Sequence, residues 1–397
     1  MSRLVLTVLV GLVAVVTGFY QLVIRPKLVV LGEGRIIQPI GNTKCVTYPE
    51  SKACEKILLH EPSGLLYMAC STQESRVHWL PTSDRLNATG KSSVDYVSVF
   101  DPSSGKVTRL TTEGFKFPRG LSFHGMDIAP STDPSRPHDI FLYLVNHRAP
   151  LGDADAAVVG ADSVIEVFKT RPGGEDIHYV ATFKDPVIST PNDIAATGEE
   201  DKGFYFTNDH GMIKTGWARR HHVDTLLGWA VTNVGYCNVV DGCKIVAEGL
   251  VGVNGIAKGK DGKYYVASST SGRVYVFDRQ ADNSLVLEDE ISTDRPIDNL
   301  SIDKDGSVWG AAFVHAMELV NVHFANPSIN TASSALRITP NDGAGSYFGE
   351  KYKIERVFED DGTLASGTTS VAYDVKRKKL YLHGIASPQL TVCDIEV

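Results

Sequence analysis

The chain has 397 residues, with 47 acidic against 39 basic side chains and a formal net charge of −8. With that sign, no basic block and no interleaving of basic and aromatic residues, nucleic acid is excluded as an expected partner. The length would hold two or three average domains, or one large repeat architecture with an ample core.

In chain order, Leu4 to Ile24 come first, apolar or small apart from Thr7, Thr17, Tyr20 and Gln21. At about 1.5 Å per residue a helix of this run crosses a bilayer. Arg3 precedes it, and Arg25, Pro26 and Lys27 are expected to stop it. A cleaved signal peptide has a shorter apolar region and a small-x-small site. Residues 1–27 are therefore read as a signal anchor or uncleaved signal peptide, and residues 28–397 as the folded part. Counting the terminal amine, the positive charges on the two flanks balance and leave orientation open.

The folded part is organised by repetition. Gly252 to Asp278 form one unit without insertions, in which Asp261-Gly262 and Ser271-Gly272 turns separate runs rich in Val and Tyr, a hairpin signal. Its middle strand recurs at Leu65–Met68, Ile140–Leu144, Phe204–Phe206, Tyr264–Val266, Val308-Trp309 and Leu380–Leu382. A following strand recurs at Tyr96–Phe100, Val164–Phe168, Trp229–Val231, Val274–Phe277, Ala335–Ile338 and Leu390–Cys393. Six such units of about four strands predict an all-β fold, a six-bladed β-propeller preceded by an N-terminal hydrophobic helix. An all-β sandwich with long loops is the alternative, but a sandwich has no reason to repeat six times.

Reading back from each middle strand by about one strand and a turn brings Glu55, His124, Asn192, Asn254, Asn299 and the run Thr368–Ser370 to the start of the innermost strands. In four units the polar residue is followed two places later by an apolar one: Glu55-Lys56-Ile57, His124-Gly125-Met126, Asn192-Asp193-Ile194 and Asn254-Gly255-Ile256. Asn299 fits this pattern less well, because Leu300 follows it directly. Amide oxygens mixed with the carboxylates of Glu55 and Asp298 are a hard-ligand set, suited to Ca²⁺ far better than to zinc or copper. Taken singly, each Asn reads equally as a turn residue capping local backbone. Their equivalent placement in three repeats favours the ring.

Six cysteines allow fifteen pairings. Hairpin geometry favours Cys54 with Cys70 and Cys237 with Cys243, which leaves Cys45 with Cys393 to tie the last strand to the first. Disulfides and the apolar N-terminus together point to the secretory pathway, with a membrane-anchored lumenal or extracellular propeller, or a secreted one. Asn87-Ala88-Thr89 is a glycosylation sequon in a polar loop. Asn299-Leu300-Ser301 is a second formal sequon, but Asn299 is assigned to the ring and no glycan is expected there. Asp153, Asp155 and the run Arg219-Arg220-His221-His222 read as solvated insertions, and Asp303-Lys304-Asp305-Gly306 as a hairpin turn whose glycine comes too early for an EF-hand. The chain has no G-x-S-x-G, H-E-x-x-H, C-x-x-C or G-x-x-x-x-G-K-[ST] motif, so serine-hydrolase, zinc and P-loop readings lose their support.

At Phe123–Met126, Leu144–His147, Pro191–Ile194, Thr207-Asn208-Asp209-His210, Ala247–Gly249, Asn254–Ile256 and Asp298–Ser301, in that order, the chain resembles the paraoxonase/arylesterase family of calcium-dependent lactonases. The resemblance covers nearly all of the soluble part. It implies hydrolysis of a small ester or lactone, with calcium held by Glu55, Asn192, Asn254, Asp298 and Asn299, His124 as general base and His147 orienting it. It also implies the Cys45–Cys393 bond, and a second calcium held by an acidic residue after Glu55, by Asp193 and by the carbonyl of Met126. Lys56 stands where that acidic residue would be. An ammonium does not ligate a cation, so Lys56 is expected to pair with Asp193 and one calcium is expected instead of two. Strictosidine-synthase-like condensation or plain ligand binding on the same scaffold is the alternative function; neither needs an oxygen-rich ring.

Overall fold

Gly262 and Gly272 turn the chain at positive φ, 83° and 60°, where a residue with a Cβ is strained. The strands they join, Val253–Lys258, Tyr264–Ser268 and Arg273–Arg279, run on into Leu285–Ser292, each pairing antiparallel with the next. In this computed structural model, which describes residues 3–199, 202–217, 228–341, 343, 346 and 349–397, that meander recurs as six blades of a β-propeller. Blade 1 extends from Cys54–His60 to Lys106–Arg109 and blade 2 from Phe123–Pro130 to Asp176–Phe183. Blade 3 extends from Pro191–Ala196 to Gly242–Leu250, blade 4 from Val253–Lys258 to Leu285–Ser292, and blade 5 from Ile297–Ile302 to Tyr352–Asp360. Blade 6 takes Ser370–Asp374, Lys379–His383 and Leu390–Asp394, and its outermost strand, Cys45–Tyr48, from the other end of the chain.

The predicted middle strands all lie in second strands, and five of the six following strands lie in third strands. Blade 3 is the correction. Its third strand is Thr232–Asn238, and Trp229–Val231 leads into it. Gly235 interrupts the apolar pattern there because the Phe206 ring of the neighbouring strand fills the space a Cβ would need, 2.3 Å away. The strand's own apolar residues, Val234, Tyr236 and Cys237, are buried, while Trp229 is exposed. Blade 2 also gains a short parallel edge strand, Thr111–Glu113. The run Arg219–His222 lies outside the described residues.

Propeller sheets bury both faces, so the core lies in the wedges between blades. Each neighbouring pair has its own apolar cluster. Tyr67, Phe123 and Phe168 fill the wedge between blades 1 and 2, and Trp309 and Tyr373 stack 4.4 Å apart between blades 5 and 6. The ring closes in blade 6, where Cys45 pairs with Cys393 in register and is bonded to it. The other two disulfides are Cys54–Cys70 and Cys237–Cys243, as hairpin geometry favours. His383 supports the same seam: its Nε2–H donates to the Ser51 carbonyl and its Nδ1 accepts the Gly384 N–H at 2.8 Å.

The N-terminal helix does not stop at Arg25-Pro26-Lys27. It runs as an α segment, Arg3–Phe19, a π turn, Tyr20–Ile24, and a second α segment, Arg25–Val30. The widened turn and the position of Pro26 at the start of the second segment explain why the proline is tolerated. Over its length the helix is apolar enough to cross a membrane. Its end is docked, because Arg35 donates to the carbonyls of Val29 and Val30 and to those of Asp294, Phe313 and Val314. Asn87, the predicted glycan acceptor, is exposed and its side chain caps a short 3₁₀ turn, Ala88–Gly90. Asn299 is buried, as a channel residue must be.

Two outcomes follow from the seam. A Cys45→Ala/Cys393→Ala variant loses roughly 4 kcal/mol through the long loop released in the unfolded chain, and its thermal midpoint falls by several degrees. Burial holds His383 down at a pKa of about 4, so the unfolded chain takes up its proton first as pH falls from about 6.5. Its contribution to stability is complete above that pH and is lost toward pH 4. The stability difference between wild type and His383→Gln, from denaturant midpoints, therefore shrinks between pH 7 and pH 5; a constant difference would refute this role.

Candidate metal centre and active site

In blades 1 to 5 the pairing of the inner strand with its neighbour slips at one and the same place, so that the inner strand carries one extra residue near its start. Such a bulge breaks the two-residue alternation of faces and re-aims side chains. It yields two tiers. The first is Glu55, His124, Asn192, Asn254 and Asp298; the second is Lys56, Gly125, Asp193, Gly255 and Asn299. Asp298, rather than Asn299, is thus the blade equivalent of the other four, and with that register Leu300 follows two places later as in every other unit. The inner strands press together at the second tier. A Cβ on Gly125 would stand 2.2 Å from the Asn192 carbonyl oxygen, and one on Gly255 would stand 2.6 Å from that of Asp298.

Glu55, His124, Asn192, Asn254 and Asp298 all line one cavity of about 340 Å³. Asn299 reaches the same group from the second tier, donating from Nδ2 to Glu55 Oε1 at 2.7 Å, and Thr369 Oγ1 donates to Glu55 Oε2 at 2.6 Å. Asn192 Nδ2 donates to Asp209, which is braced in turn by His210 at 2.7 Å. Thr207 Oγ1 donates to the Asn254 carbonyl. The Thr207–His210 segment, which carries part of the family resemblance, is therefore the scaffold behind two ring members. With their amide nitrogens held by neighbours, Asn192 and Asn299 leave Oδ1 without a donor among the described residues, and Asn254 Oδ1 and Asp298 Oδ1 are equally without one.

Four buried oxygens lacking donors are costly at about 1–3 kcal/mol each, and clustered lone pairs are what a hard cation satisfies. The carboxylates report the same deficit of positive charge. Burial, only partly offset by the Thr369 and Asn299 hydrogen bonds, pushes Glu55 up to about 7. Burial and the neighbouring Glu55 hold Asp298 well above the usual range. Among the described residues no three His, Cys, Asp or Glu side chains form a metal-binding group. Any fit to calcium accordingly rests on three amides joined to two carboxylates, a set that suits Ca²⁺ and no softer metal.

His124 lies at the edge of this group. Its Nε2 is 3.6 Å from Glu55 Oε1, and among the described residues neither ring nitrogen has a hydrogen-bond partner. Burial, then the nearby His147 and Arg76, lower its pKa well below 6.5, so the imidazole is neutral. His147, on the second strand of blade 2, packs edge-on to it with ring centroids 5.2 Å apart and is fixed by Ser163 Oγ at Nδ1, 2.8 Å. The second tier differs in kind. Lys56 Nζ donates to Asp193 Oδ2 at 2.5 Å and to the Leu300 carbonyl at 2.9 Å, with both side chains buried. The expected Lys56–Asp193 pair is thus present. The Met126 side chain belongs to the blade 1–2 core.

Some functional positions left no mark in the repeat. Arg76, from the insertion within blade 1, is buried and donates to the Phe123 carbonyl beside Glu55; a lone arginine in an insertion has no equivalent to betray it. The cavity walls are apolar and come from Leu28, Leu31, Phe313, Ala316, Phe324 and Ile385. Leu28 and Leu31 lie at the end of the N-terminal helix and just beyond it. Asp303 is used up in its turn, accepting N–H groups from Asp305 and Ser307 and the Trp309 indole at 2.8 Å, and is no calcium loop.

The sequence profile described as Arylesterase matches residues 111–395. Human serum paraoxonase/arylesterase 1 is 26% identical over 374 residues, 93% of this chain and 94% of that protein. Chicken serum paraoxonase/arylesterase 2 is 24% identical, with 95% and 96% covered, and human serum paraoxonase/lactonase 3 is 23% identical, with 93% and 94% covered. With its six blades, its polar ring and a profile match over more than half its length, the chain belongs to the arylesterase family.

Proposed function

We propose that this protein is a calcium-dependent hydrolase of small esters and lactones. The observation that carries the reading is the set of donorless buried oxygens of Asn192, Asn254 and Asp298 on one cavity floor, with that of Asn299 behind Glu55, beside a neutral imidazole and beneath apolar walls. The relatives' names, paraoxonase, arylesterase and lactonase, support the substrate class.

Glu55, Asn192, Asn254, Asp298 and Asn299 would hold calcium, which supplies a Lewis acid for the substrate carbonyl and positive charge for the developing oxyanion. The chain's own residues do the rest. The apolar walls take the hydrocarbon part of the substrate and exclude bulk water. His124, uncharged and with free ring nitrogens, accepts a proton from the attacking water as its oxygen bonds to the carbonyl carbon. His124 then returns that proton to the departing alkoxide as the ester bond breaks. His147, anchored by Ser163, keeps the His124 ring in one orientation. The helix of residues 3–30 would anchor the propeller to a membrane on its oxidising side, where three disulfides persist.

Assay of the purified protein on a γ-lactone and an aryl ester, with and without chelator, tests the reading directly. Hydrolysis is lost on chelation and returns with calcium; undiminished turnover in chelator refutes it. Asn254→Ala or Asn299→Ala weakens calcium binding and lowers kcat/KM by at least about 100-fold. His124→Gln lowers kcat by roughly 100-fold or more with calcium still bound; loss of the metal in that variant would make His124 a ligand instead of a base.

A further inference from the structure

Lysine is among the residues least often buried, and an ammonium taken out of water is costly unless its partners are well placed. Lys56 is 1% exposed and stands where the inner strands of the propeller converge. Its partners come from separate blades: the carboxylate of Asp193 in blade 3 and the carbonyl of Leu300 in blade 5. Asp193 Oδ2 also accepts the Ile256 N–H of blade 4 at 3.0 Å. One positive charge, borne on blade 1, thus ties together the inner strands of three other blades across the axis. A divalent cation joins strands in the same way, by collecting carboxylate and carbonyl oxygens from different elements. An ammonium has no lone pair to offer a metal and repels one at its own contact distance, so the residues here do not fit the second calcium that the family resemblance implies.

We propose that Lys56 is a built-in cation that makes the fold of this propeller independent of metal. The first-tier ring then carries a single exchangeable calcium, which can be stripped and reloaded without unfolding the chain. The count of one ion rests on the function proposed above; the role of Lys56 does not.

Metal analysis of the full-length protein, before and after dialysis against chelator, tests this together with near-ultraviolet circular dichroism and thermal melts. The expected result is one calcium per chain before chelation and none after. The spectrum is unchanged, melting remains cooperative, and activity returns on adding calcium. Two calcium ions per chain, or loss of the native spectrum on chelation, overturns the proposal. A metal-free native protein with the fold intact supports the role of Lys56 and counts against the ring, so the two readings fail separately. Lys56→Asp is expected to take up a second calcium and to lose its native spectrum in chelator. A folded Lys56→Asp protein that still binds one ion overturns the proposal, and if that variant does not fold at all, the wild-type measurements decide alone.

Discussion

Six strands meeting around one axis leave little room between backbones, and the site is the consequence of how that crowding is resolved. A bulge at the start of each of the first five inner strands breaks the face alternation and sends polar side chains to the channel. Gly125 and Gly255 let the neighbouring inner strands touch in blades 2 and 4, while blades 1, 3 and 5 place Lys56, Asp193 and Asn299 at the same level. The alternation of glycine with a functional side chain is therefore steric. Filling the second tier from every blade would force the inner strands apart.

The two tiers treat charge in opposite ways. In the lower one an ammonium meets its carboxylate directly, at 2.5 Å, and the carboxylate has backbone donors besides. In the upper one burial raises the pKa of both Glu55 and Asp298, and the charge of Glu55 raises that of Asp298 further, with Arg76 as a cation near Glu55. Burial without compensation is expensive. The lower tier meets its carboxylate with an ammonium, although Asp193 Oδ1 and Asn299 Oδ1 lack a partner among the described residues, whereas the carboxylates of the upper tier have no Lys or Arg in direct contact among those residues. The proposed division between an exchangeable calcium and a built-in ammonium rests on that contrast.

Much of this is legible in the sequence because propeller repeats write it several times over. Apolar second strands, hairpin turns, cysteine spacing and the polar residue opening each inner strand are local features, and repetition makes each of them stand out. The bulge is less visible: it brings two successive polar residues, Asp298 and Asn299, to the ring, so the amide reads as the repeat position although Asp298 is the true equivalent. Features without repeat partners stay hidden. Gly235 conceals a strand because a neighbour's Phe206 supplies its missing side chain, and Arg76 reaches the Phe123 carbonyl from an insertion whose course no periodicity foretells.

The same limit applies to the junction between the helix and the propeller. By composition the first 27 residues form a separate apolar segment, yet the helix continues past Pro26 and Leu28 and Leu31 enter the cavity wall. Arg35 fixes this junction by joining the helix end to carbonyls from the blade 4–5 connection and from the end of the second strand of blade 5, and Gly32, at φ 101°, lies too close to the Val314 carbonyl for any side chain. Leu31, Phe313, Ala316 and Phe324 then form one apolar cluster above the polar floor. The segment that reads as a membrane anchor is thereby also part of the wall of the cavity above the ring. A chain shortened to residue 28 would keep the oxygen ring but lose the turn of helix that holds Leu28 and Leu31 over it.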